Sequence, residues 1–209
     1  RLTLPTPAER AAAILAESGA IVTDSHIVYT SGRHGSAYVN KDAVYPHTQR
    51  VSELCRLIAD AVASYDIDIV CGPATGAIIL SQWTGHHLGR PAVYAEKAPD
   101  GGMVLKRGYD RLVAGKRVLL VEDVLNTGGS LHDTVKAVEG AGGRVVVAAA
   151  LVNRGGVTAA NVSAPVLVSL LSMSLDSWTA ADCPLCRAHV PVNTDVGKGR
   201  EFLRATTPS

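Results

Sequence analysis

Apolar positions along the chain follow two periodicities, one typical of helices and one typical of buried strands. Near the start, Thr6-Pro7-Ala8-Glu9 has the pattern of a capping box with proline at the first helical position, and it predicts a helix that stops at Gly19. Segments with strand character follow at 20–22 and 27–30. Apolar residues three and four apart then predict an amphipathic helix over about 48–64. The side chains expected on its buried face are Val51, Leu54, Leu57, Ile58 and Ala61.

From residue 67 onwards, short apolar runs alternate with helical segments. Strands are predicted at 67–71, 92–95, 116–121, 145–152 and 166–170, and helices at 76–88 and 129–139. This alternation predicts an α/β fold, a parallel sheet with helices on both faces. We expect one domain over 1–209, with a small N-terminal subdomain over about 1–45 and a C-terminal extension over about 176–209.

Composition narrows the classes of function. Hydrophobic residues make up 47% of the chain, and 20 basic against 19 acidic residues leave a net charge of +1 without a basic block, which argues against a nucleic-acid partner. No apolar run reaches the roughly 18 residues that a membrane span needs. The start at Arg1 lacks the plan of a secretory signal, and four cysteines do not make a disulfide scaffold. We therefore expect a cytoplasmic protein.

The segment 118–130 carries the most informative chemistry. Four apolar residues form a predicted buried strand, Glu122 and Asp123 end it, and Thr127-Gly128-Gly129-Ser130 opens a helix. Ligands of open α/β sheets bind beyond the carboxyl ends of the strands, and a glycine-rich helix start offers free N–H groups to an anion. Because carboxylates repel phosphate, the two acids would serve sugar hydroxyls or a magnesium ion. An ordinary strand–turn–helix would leave the paired acids unexplained, so the segment favours a sugar phosphate.

Two neighbouring segments could complete such a site. The run 72–76, Gly-Pro-Ala-Thr-Gly, follows a predicted strand and opens a helix, so it is either a second anion-binding loop or a plain turn. The polar segment 96–111 carries Lys97, Lys106 and Arg107. These cations would neutralise charge that develops on a leaving group, or they are routine charges of a solvated loop.

The segment 122–130 resembles the signature with which type I phosphoribosyltransferases bind 5-phosphoribosyl 1-pyrophosphate (PRPP). The resemblance implies that Glu122 and Asp123 face the ribose hydroxyls and that Thr127–Ser130 holds the 5′-phosphate. It also implies that 72–76 binds pyrophosphate and that 96–111 closes over the reacting centre. The implied catalytic residues are Lys97, Lys106, Arg107 and Asp123. The implied PRPP-binding residues are Thr75, Gly76, Glu122, Asp123, Val124, Leu125, Asn126, Thr127, Gly128, Gly129 and Ser130.

Further residues resemble the orotate phosphoribosyltransferases within that family. The segment 30–42 is similar to their Ser-Gly-Arg region, part of a hood over the site, and this implies that Tyr38 and Val39 line the base. Arg154 matches the arginine that pairs with the orotate carboxylate, for which a guanidinium fork is suited. Asn126 stands where relatives carry a threonine that contacts orotate. The resemblance implies a homodimer that uses PRPP, orotate and Mg²⁺, the metal being carried by PRPP without a direct protein ligand.

Two other functions stay open on the sequence. One is a phosphoribosyltransferase for another nucleobase, and Arg154 discriminates against it because only a base with a carboxylate requires that cation. The other is a regulator that senses PRPP without turnover. It is motivated by the segment 96–111, in which Glu96 precedes Lys97 and no histidine follows.

Cysteines and histidines suggest a further site. Cys183-Pro184-Leu185-Cys186 with His189 nearby has zinc-like spacing, although one such pair supplies only two thiolates, and a structural turn or a redox pair are the alternatives. Cys55 and Cys71 lie in predicted core elements and should be buried. Five histidines are expected at the surface rather than as ligands: His26, His47, His86, His87 and His132.

Overall fold

Helices and strands alternate along most of the chain in the computed structural model, which describes residues 4–99 and 101–206. The helices are α1 (Pro7–Glu17), α2 (Thr48–Ala61), α3 (Ala77–Leu88), α4 (Tyr109–Val113), α5 (Gly129–Gly140), α6 (Pro184–Arg187) and α7 (Gly199–Thr206). The strands are β1 (Ile21–Val22), β2 (Ile27–Val28), β3 (His34–Gly35), β4 (Tyr38–Val39), β5 (Ile69–Pro73), β6 (Ala92–Lys97), β7 (Met103–Val104), β8 (Arg117–Leu125), β9 (Arg144–Asn153), β10 (Leu167–Ser172) and β11 (Ser177–Trp178). Among these helices, none is long and apolar enough to cross a membrane.

Helix α1 begins and ends where its sequence signals predict. The Thr6 backbone N–H donates to Glu9 Oε2 at 2.7 Å, and the Glu9 N–H donates to Thr6 Oγ1 at 3.2 Å, which completes the capping box. Beyond its end, Gly19 has a φ of 69°, in the left-handed region that glycine adopts without strain.

Backbone contacts divide the chain into two compact units, which are described separately. The first holds the residues up to Ile14 and the span His47–Met173. The second holds Leu15–Pro46 and the residues from Ser174 onwards.

The first unit is built on a six-stranded sheet in the spatial order β10-β9-β8-β5-β6-β7. All neighbouring strands are parallel except β7, which pairs antiparallel with β6. Ile69 and Cys71 of β5 pack in one core cluster with α5, whereas Val70 points to the opposite face and is equally buried. Helices α2 and α3 also pack against the sheet. The predicted α/β fold class, a parallel sheet with helices on both faces, is confirmed.

Helix α2 buries a slightly different face from the predicted one. Cys55 and Ala59 are buried beside Val51, Leu54 and Ile58, while Leu57 and Ala61 are not buried. The helix also ends at Ala61 rather than near residue 64. The predicted face left out Cys55, whose side chain is apolar. Including Cys55 among the apolar positions moves the centre of the buried face by one residue.

Cys55 and Cys71 are fully buried, as their predicted places in core elements require. Burial away from water raises the pKa of each thiol to about 12. Both therefore stay protonated at neutral pH and act as small apolar side chains.

An ion pair joins the starts of β5 and β8 in the first unit. Asp68 Oδ2 accepts hydrogen bonds from the backbone N–H and Nε of Arg117 at 2.9 and 3.0 Å, and Asp68 Oδ1 accepts one from Nη2 at 2.9 Å. These Arg117 hydrogen bonds hold the pKa of the Asp68 carboxyl well below its ordinary value near 3.9.

Replacing Asp68 with asparagine is expected to lower the urea midpoint at pH 7. A depressed folded-state pKa means that the carboxylate stabilises the native state above pH ~4 and that this stabilisation fades as the pH falls further. The difference in urea midpoint between wild type and Asp68→Asn should therefore be constant from pH 7 to about 4.5, and it should become smaller below pH ~4. Asp66→Asn is the matched control, because the Asp66 side chain is 86% exposed beside the same arginine. A difference in urea midpoint that did not change with pH would show that the ionised Asp68 carboxylate is not the source of the stabilisation.

The second unit contains short strands in two small sheets. One pairs β1 with β4, and the other has the order β11-β3-β2. The Tyr29 hydroxyl donates to the Ala37 carbonyl at 2.7 Å and ties the two ends of the β2–β3 region together. Arg33, in the loop between β2 and β3, donates through Nε to Ser177 Oγ at 2.9 Å.

The expectation that His26 lies at the surface is wrong. Its side chain is 2% exposed in the interior of the second unit. His47 and His86 are exposed, while His87 and His132 are partly buried. The sequence around His26 does not reveal that it is buried, because its burial depends on residues far away in the chain, around Val190.

Candidate active site

Four parallel strands of the first unit end at one edge of the sheet. In spatial order they are β9, β8, β5 and β6, so the residues that follow them are neighbours. Arg154 follows β9, Asn126 follows β8, Ala74 follows β5, and Lys97 ends β6. Three predicted segments, 122–130, 72–76 and 96–111, and Arg154 therefore share this edge, where open α/β sheets bind ligands.

The carboxylates Glu122 and Asp123 lie within strand β8, not after it. The predicted strand stops at Val121, but β8 continues to Leu125 and pairs with β9 as far as Asn153. Since neighbouring strand residues point to opposite faces, the two acids cannot face the same side of the sheet. Glu122 and Asp123 are 7% and 4% exposed. Glu122 Oε1 accepts the Asp123 N–H at 3.0 Å, and Asp123 Oδ1 accepts the Val124 N–H at 2.6 Å.

A cavity of about 100 Å³ lies at the end of β8 and the start of α5. It is lined by Glu122 and by every residue from Val124 to Leu131, which includes all of the predicted phosphate loop. The first N–H groups of a helix have no acceptor within the helix, and they carry the positive end of its dipole. Thr127 and Ser130 add exposed side-chain hydroxyls. The cavity is thus suited to an anion, with a carboxylate on its wall.

Gly128 has no room for a side chain. Its φ is 81°, and a Cβ there would lie 2.7 Å from Val162 Cγ1 and 2.9 Å from Val157 Cγ1. Val157 is held by Asn153, whose amide donates to the Val157 carbonyl at 2.7 Å and accepts the Val157 N–H at 2.9 Å. Asn153 is thereby a positioning residue that the sequence analysis missed, since the two hydrogen bonds close a turn that no local motif marks.

If the loop holds the 5′-phosphate of PRPP, as the resemblance implies, Gly128→Ala should weaken PRPP binding by roughly tenfold or more, because displacing the loop by even about 1 Å misplaces its N–H donors. The left-handed backbone would cost a further ~1–2 kcal/mol of stability. Titration calorimetry with PRPP and thermal unfolding measure the two effects. Gly140→Ala, at the other end of α5 with nothing within 4 Å, is the control. Unchanged PRPP affinity in Gly128→Ala would show that the loop does not hold the phosphate.

A second cavity, of about 610 Å³, lies beyond the ends of β5 and β6. Thr75, from the predicted pyrophosphate loop, and the cations Lys97 and Arg107 line it together. The Ala74–Thr75 peptide bond is cis. Gly76 precedes α3 and is absent from the residues that line this cavity, within the part of the chain that is described. The segments 72–76 and 96–111, which the resemblance relates to a pyrophosphate ligand, therefore both contribute to this cavity.

The segment 96–111 is partly ordered by secondary structure, which the sequence did not predict. Glu96 and Lys97 pair with Val104 and Met103 in a β6–β7 hairpin, and α4 follows. Strand β7 is two residues long, too short for a hydrophobic period to show. Asp100, within this segment, lies outside the described residues.

Glu96 binds two of the three candidate cations. Its Oε1 accepts from Arg107 Nε at 2.8 Å, and its Oε2 lies 3.4 Å from Lys106 Nζ. The hydrogen bond from Arg107 lowers the pKa of the Glu96 carboxyl, which raises the pKa of Arg107 in return. Among residues 4–99 and 101–206, no ion pair joins Lys97 to a carboxylate. The three cations are thus not equivalent, because within the described part of the chain Lys97 has no ion pair to offset its charge.

Arg154 lies beside the phosphate loop. Its backbone N–H donates to the Leu125 carbonyl at 2.9 Å, directly before Asn126. The next residue, Gly155, was not predicted to matter, yet a Cβ there would overlap the Asn126 carbonyl oxygen. A glycine after the arginine is the signal that could have indicated this close approach.

The remaining predicted residues belong to the second unit. Tyr38 and Val39 form β4 and pair with Val22 and Ile21 of β1. Tyr38 is partly buried and Val39 is 7% exposed. Their assignment to the base stays a prediction.

Comparison with known proteins agrees with this geometry. Residues 40–182 match the family model described as a phosphoribosyl transferase domain. An orotate phosphoribosyltransferase of Chlorobium phaeobacteroides is 36% identical over 182 residues, which cover 86% of this chain and 91% of that protein. One of Pelotomaculum thermopropionicum is 37% identical over 180 residues, covering 86% and 92%.

Solved structures show the same fold. The crystal structure of Mycobacterium tuberculosis orotate phosphoribosyltransferase in complex with PRPP has a TM-score of 0.63 at 29% identity, covering 81% of this chain and 97% of that one. The same enzyme with inorganic phosphate gives a TM-score of 0.64 at 28% identity, covering 80% and 95%. The anion cavity at the end of β8, the cation-lined cavity beside it and these relatives lead to one conclusion. The chain belongs to the orotate phosphoribosyltransferase family.

Proposed function

We propose that this protein transfers the 5-phosphoribosyl group of PRPP to orotate, giving orotidine 5′-monophosphate and pyrophosphate. The observation that carries the proposal is the shared sheet edge. It brings an anion-binding helix start, buried carboxylates, a cation-lined cavity and Arg154 to the ends of neighbouring strands. Each part of the two substrates has a chemically matched group there.

PRPP would lie across the two cavities of the first unit. The 5′-phosphate would accept hydrogen bonds from Thr127–Ser130, and the ribose hydroxyls would donate to Glu122, which lines the same cavity. The pyrophosphate would extend to Thr75 and Lys97 in the larger cavity. Arg154 would pair with the orotate carboxylate, and Asn126, the neighbour of Leu125, would contact the same base.

The reaction is a displacement at C1 of PRPP. Orotate loses its N1 proton to the solvent, and the N1 electron pair then forms the new bond to C1. The bond from C1 to the pyrophosphate oxygen breaks with its electrons staying on oxygen. Lys97 stabilises the negative charge that develops there, with Lys106 and Arg107 as further cations. Positioning and electrostatics would supply the rate enhancement without a catalytic nucleophile.

Magnesium fits this arrangement because Glu122, on the wall of the smaller cavity, supplies the hard carboxylate oxygens that this ion prefers. The ion would be carried by PRPP, and we expect no direct protein ligand to it. When bound, the ion would neutralise charge on the pyrophosphate.

We also propose a homodimer, from the family resemblance, which light scattering of the purified chain would test.

The direct test is loss of orotate absorbance when the purified protein is mixed with PRPP, orotate and Mg²⁺. Parallel reactions contain uracil or adenine in place of orotate. Consumption of orotate alone supports the proposal, and turnover of another base in its place would move the assignment to a different phosphoribosyltransferase.

The Glu96 ion pairs favour one alternative, a PRPP-sensing regulator. Because Glu96 offsets Lys106 and Arg107, less positive charge remains for the leaving group. Such a regulator would bind PRPP, measured by calorimetry, yet release no pyrophosphate with any base. That combination would replace the enzyme assignment.

A further inference from the structure

Four metal-ligating side chains meet in the interior of the second unit. They are His26, His34, Cys183 and Cys186. We propose that they bind one structural zinc ion. The zinc-like spacing of the two cysteines is thereby completed by histidines that lie about 150 residues earlier, and not by the nearby His189, which is exposed.

The three distances between sulfur and nitrogen ligand atoms match a single tetrahedral ion. Cys183 Sγ and Cys186 Sγ each lie 3.6 Å from His26 Nε2, and Cys186 Sγ lies 3.4 Å from His34 Nδ1. Zinc bonds of about 2.3 Å to sulfur and 2.0–2.1 Å to nitrogen place tetrahedral N and S ligands roughly 3.6 Å apart. All four ligand atoms lie within 4.8 Å of one another. One ion at their centre can therefore reach every ligand.

The two imidazoles are also close, with His26 Nε2 2.8 Å from His34 Nδ1. Tetrahedral geometry would place two nitrogen ligands roughly 3.3 Å apart, so an ion would separate the rings slightly. A hydrogen bond between the histidines alone would explain the 2.8 Å distance. It would not explain why two thiols converge on the same nitrogen.

The surroundings of His26 fix which nitrogen faces the cluster. His26 Nδ1 lies 2.8 Å from the Val190 carbonyl oxygen, which can only accept a hydrogen bond, so Nδ1 carries the hydrogen. The lone pair is then on Nε2, the atom in the cluster. Metal-binding histidines commonly donate their other N–H to a backbone carbonyl in this way. The ring of His34 packs edge-on against Phe202 at 4.7 Å, which restrains its orientation too.

Burial and ligand chemistry select zinc. His26, His34 and Cys183 are at most 2% exposed, so a bound ion would be shielded from water. Two thiolates balance the charge of Zn²⁺, and an electrically neutral cluster can be buried at little cost. Mixed thiolate and imidazole sets of this kind are structural zinc sites, and with four protein ligands no position is open for a substrate.

The site connects three segments of the second unit that are far apart in the sequence. His26 precedes β2, His34 begins β3, and the cysteines flank the start of α6. The strands β1–β4 and β11 of this unit are two residues long. A small unit with so little regular structure gains much of its folding free energy from a metal. Zinc would thus stabilise the β2–β3 hairpin against the C-terminal segment.

Metal analysis of the full chain, purified with a reductant and without chelator, tests the proposal. We expect about one zinc per chain by mass spectrometry of the metal content. After exchange with Co²⁺, the protein should show the intense visible absorption of tetrahedral cobalt together with sulfur-to-cobalt charge transfer. No zinc and no cobalt uptake by the reduced wild type would overturn the proposal, as would a Cys183–Cys186 disulfide that persists in reductant or bound iron in place of zinc.

Matched variants identify the ligands. Cys186→Ser and His26→Gln should each lose most of the zinc, and both should unfold at a lower temperature than the wild type. His189→Asn is the control: it removes the histidine beside the cysteine pair, and asparagine tolerates the φ of 53° at that position. Full zinc content in His26→Gln would exclude the four-ligand site. These readouts are independent of orotate turnover, so they stand whether or not the proposed function does.

Discussion

Arg154→Ala is expected to lower kcat/KM for orotate by at least roughly 100-fold, equivalent to about 3 kcal/mol of transition-state stabilisation. The guanidinium would be the partner of the orotate carboxylate, and its loss leaves that charge unpaired in the site. Its backbone is fixed by the Leu125 carbonyl, so the substitution should change the side chain without moving the loop. PRPP affinity, measured by calorimetry, should stay within about twofold of wild type.

Two further variants show whether the effect is specific. Arg154→Lys keeps the charge but loses the planar fork, and it should recover only part of the activity. Arg144→Ala removes an exposed arginine at the opposite end of the same strand, β9, and should leave orotate turnover unchanged. If Arg154→Ala turned over orotate at the wild-type rate, the base would have to be recognised by other residues.

Elements of the first unit were predictable because their signals are local. The capping box at Thr6 and the glycine after the helix mark both ends of α1. The buried strands β8 and β9 are marked by uninterrupted apolar runs, since both of their faces are covered by helices. Where charged residues are buried within a strand, an apolar run no longer marks the full length of that strand. Glu122 and Asp123 looked like the end of a strand although β8 continues through them.

The second unit could not be predicted in the same way. Its strands are too short to show a period, and they are held by contacts between residues far apart in the chain. Arg33 binds Ser177, and His26 meets Cys183, over 144 and 157 residues of sequence. No local sequence pattern indicates such pairs. For that reason His26 was expected at the surface, and the histidines that lie beside Cys183 and Cys186 were not predicted.

Sequence similarity predicted which cations belong to the site, but not which of them are paired with a carboxylate. Lys97, Lys106 and Arg107 look alike as three cations in a polar segment. The β6–β7 hairpin separates them, because it places Glu96 against Lys106 and Arg107 and leaves Lys97 on the cavity wall without an ion pair among the described residues.

Lys97→Met should therefore have the largest effect on kcat of any change in the hairpin, a loss of roughly 100-fold. Methionine keeps much of the length and apolar volume of lysine, so the change removes the ammonium group and little else. In the proposed reaction, the lost interaction would be with charge that develops on the pyrophosphate as the bond to C1 breaks. Binding of intact PRPP should weaken much less than kcat falls, because the interaction strengthens only in the transition state.

Single-turnover rates for three lysine variants would test this ranking. Lys106→Met should lose only about threefold, because Glu96 already offsets that charge in a partly exposed pair. Lys136→Met, on the exposed side of α5, removes the same charge away from the site and should match the wild type. The opposite order, a slow Lys106→Met and a normal Lys97→Met, would mean that Glu96 releases Lys106 when PRPP binds. Lys106 would then be the cation that meets the leaving group, and the Glu96 pair would be a resting state of the enzyme.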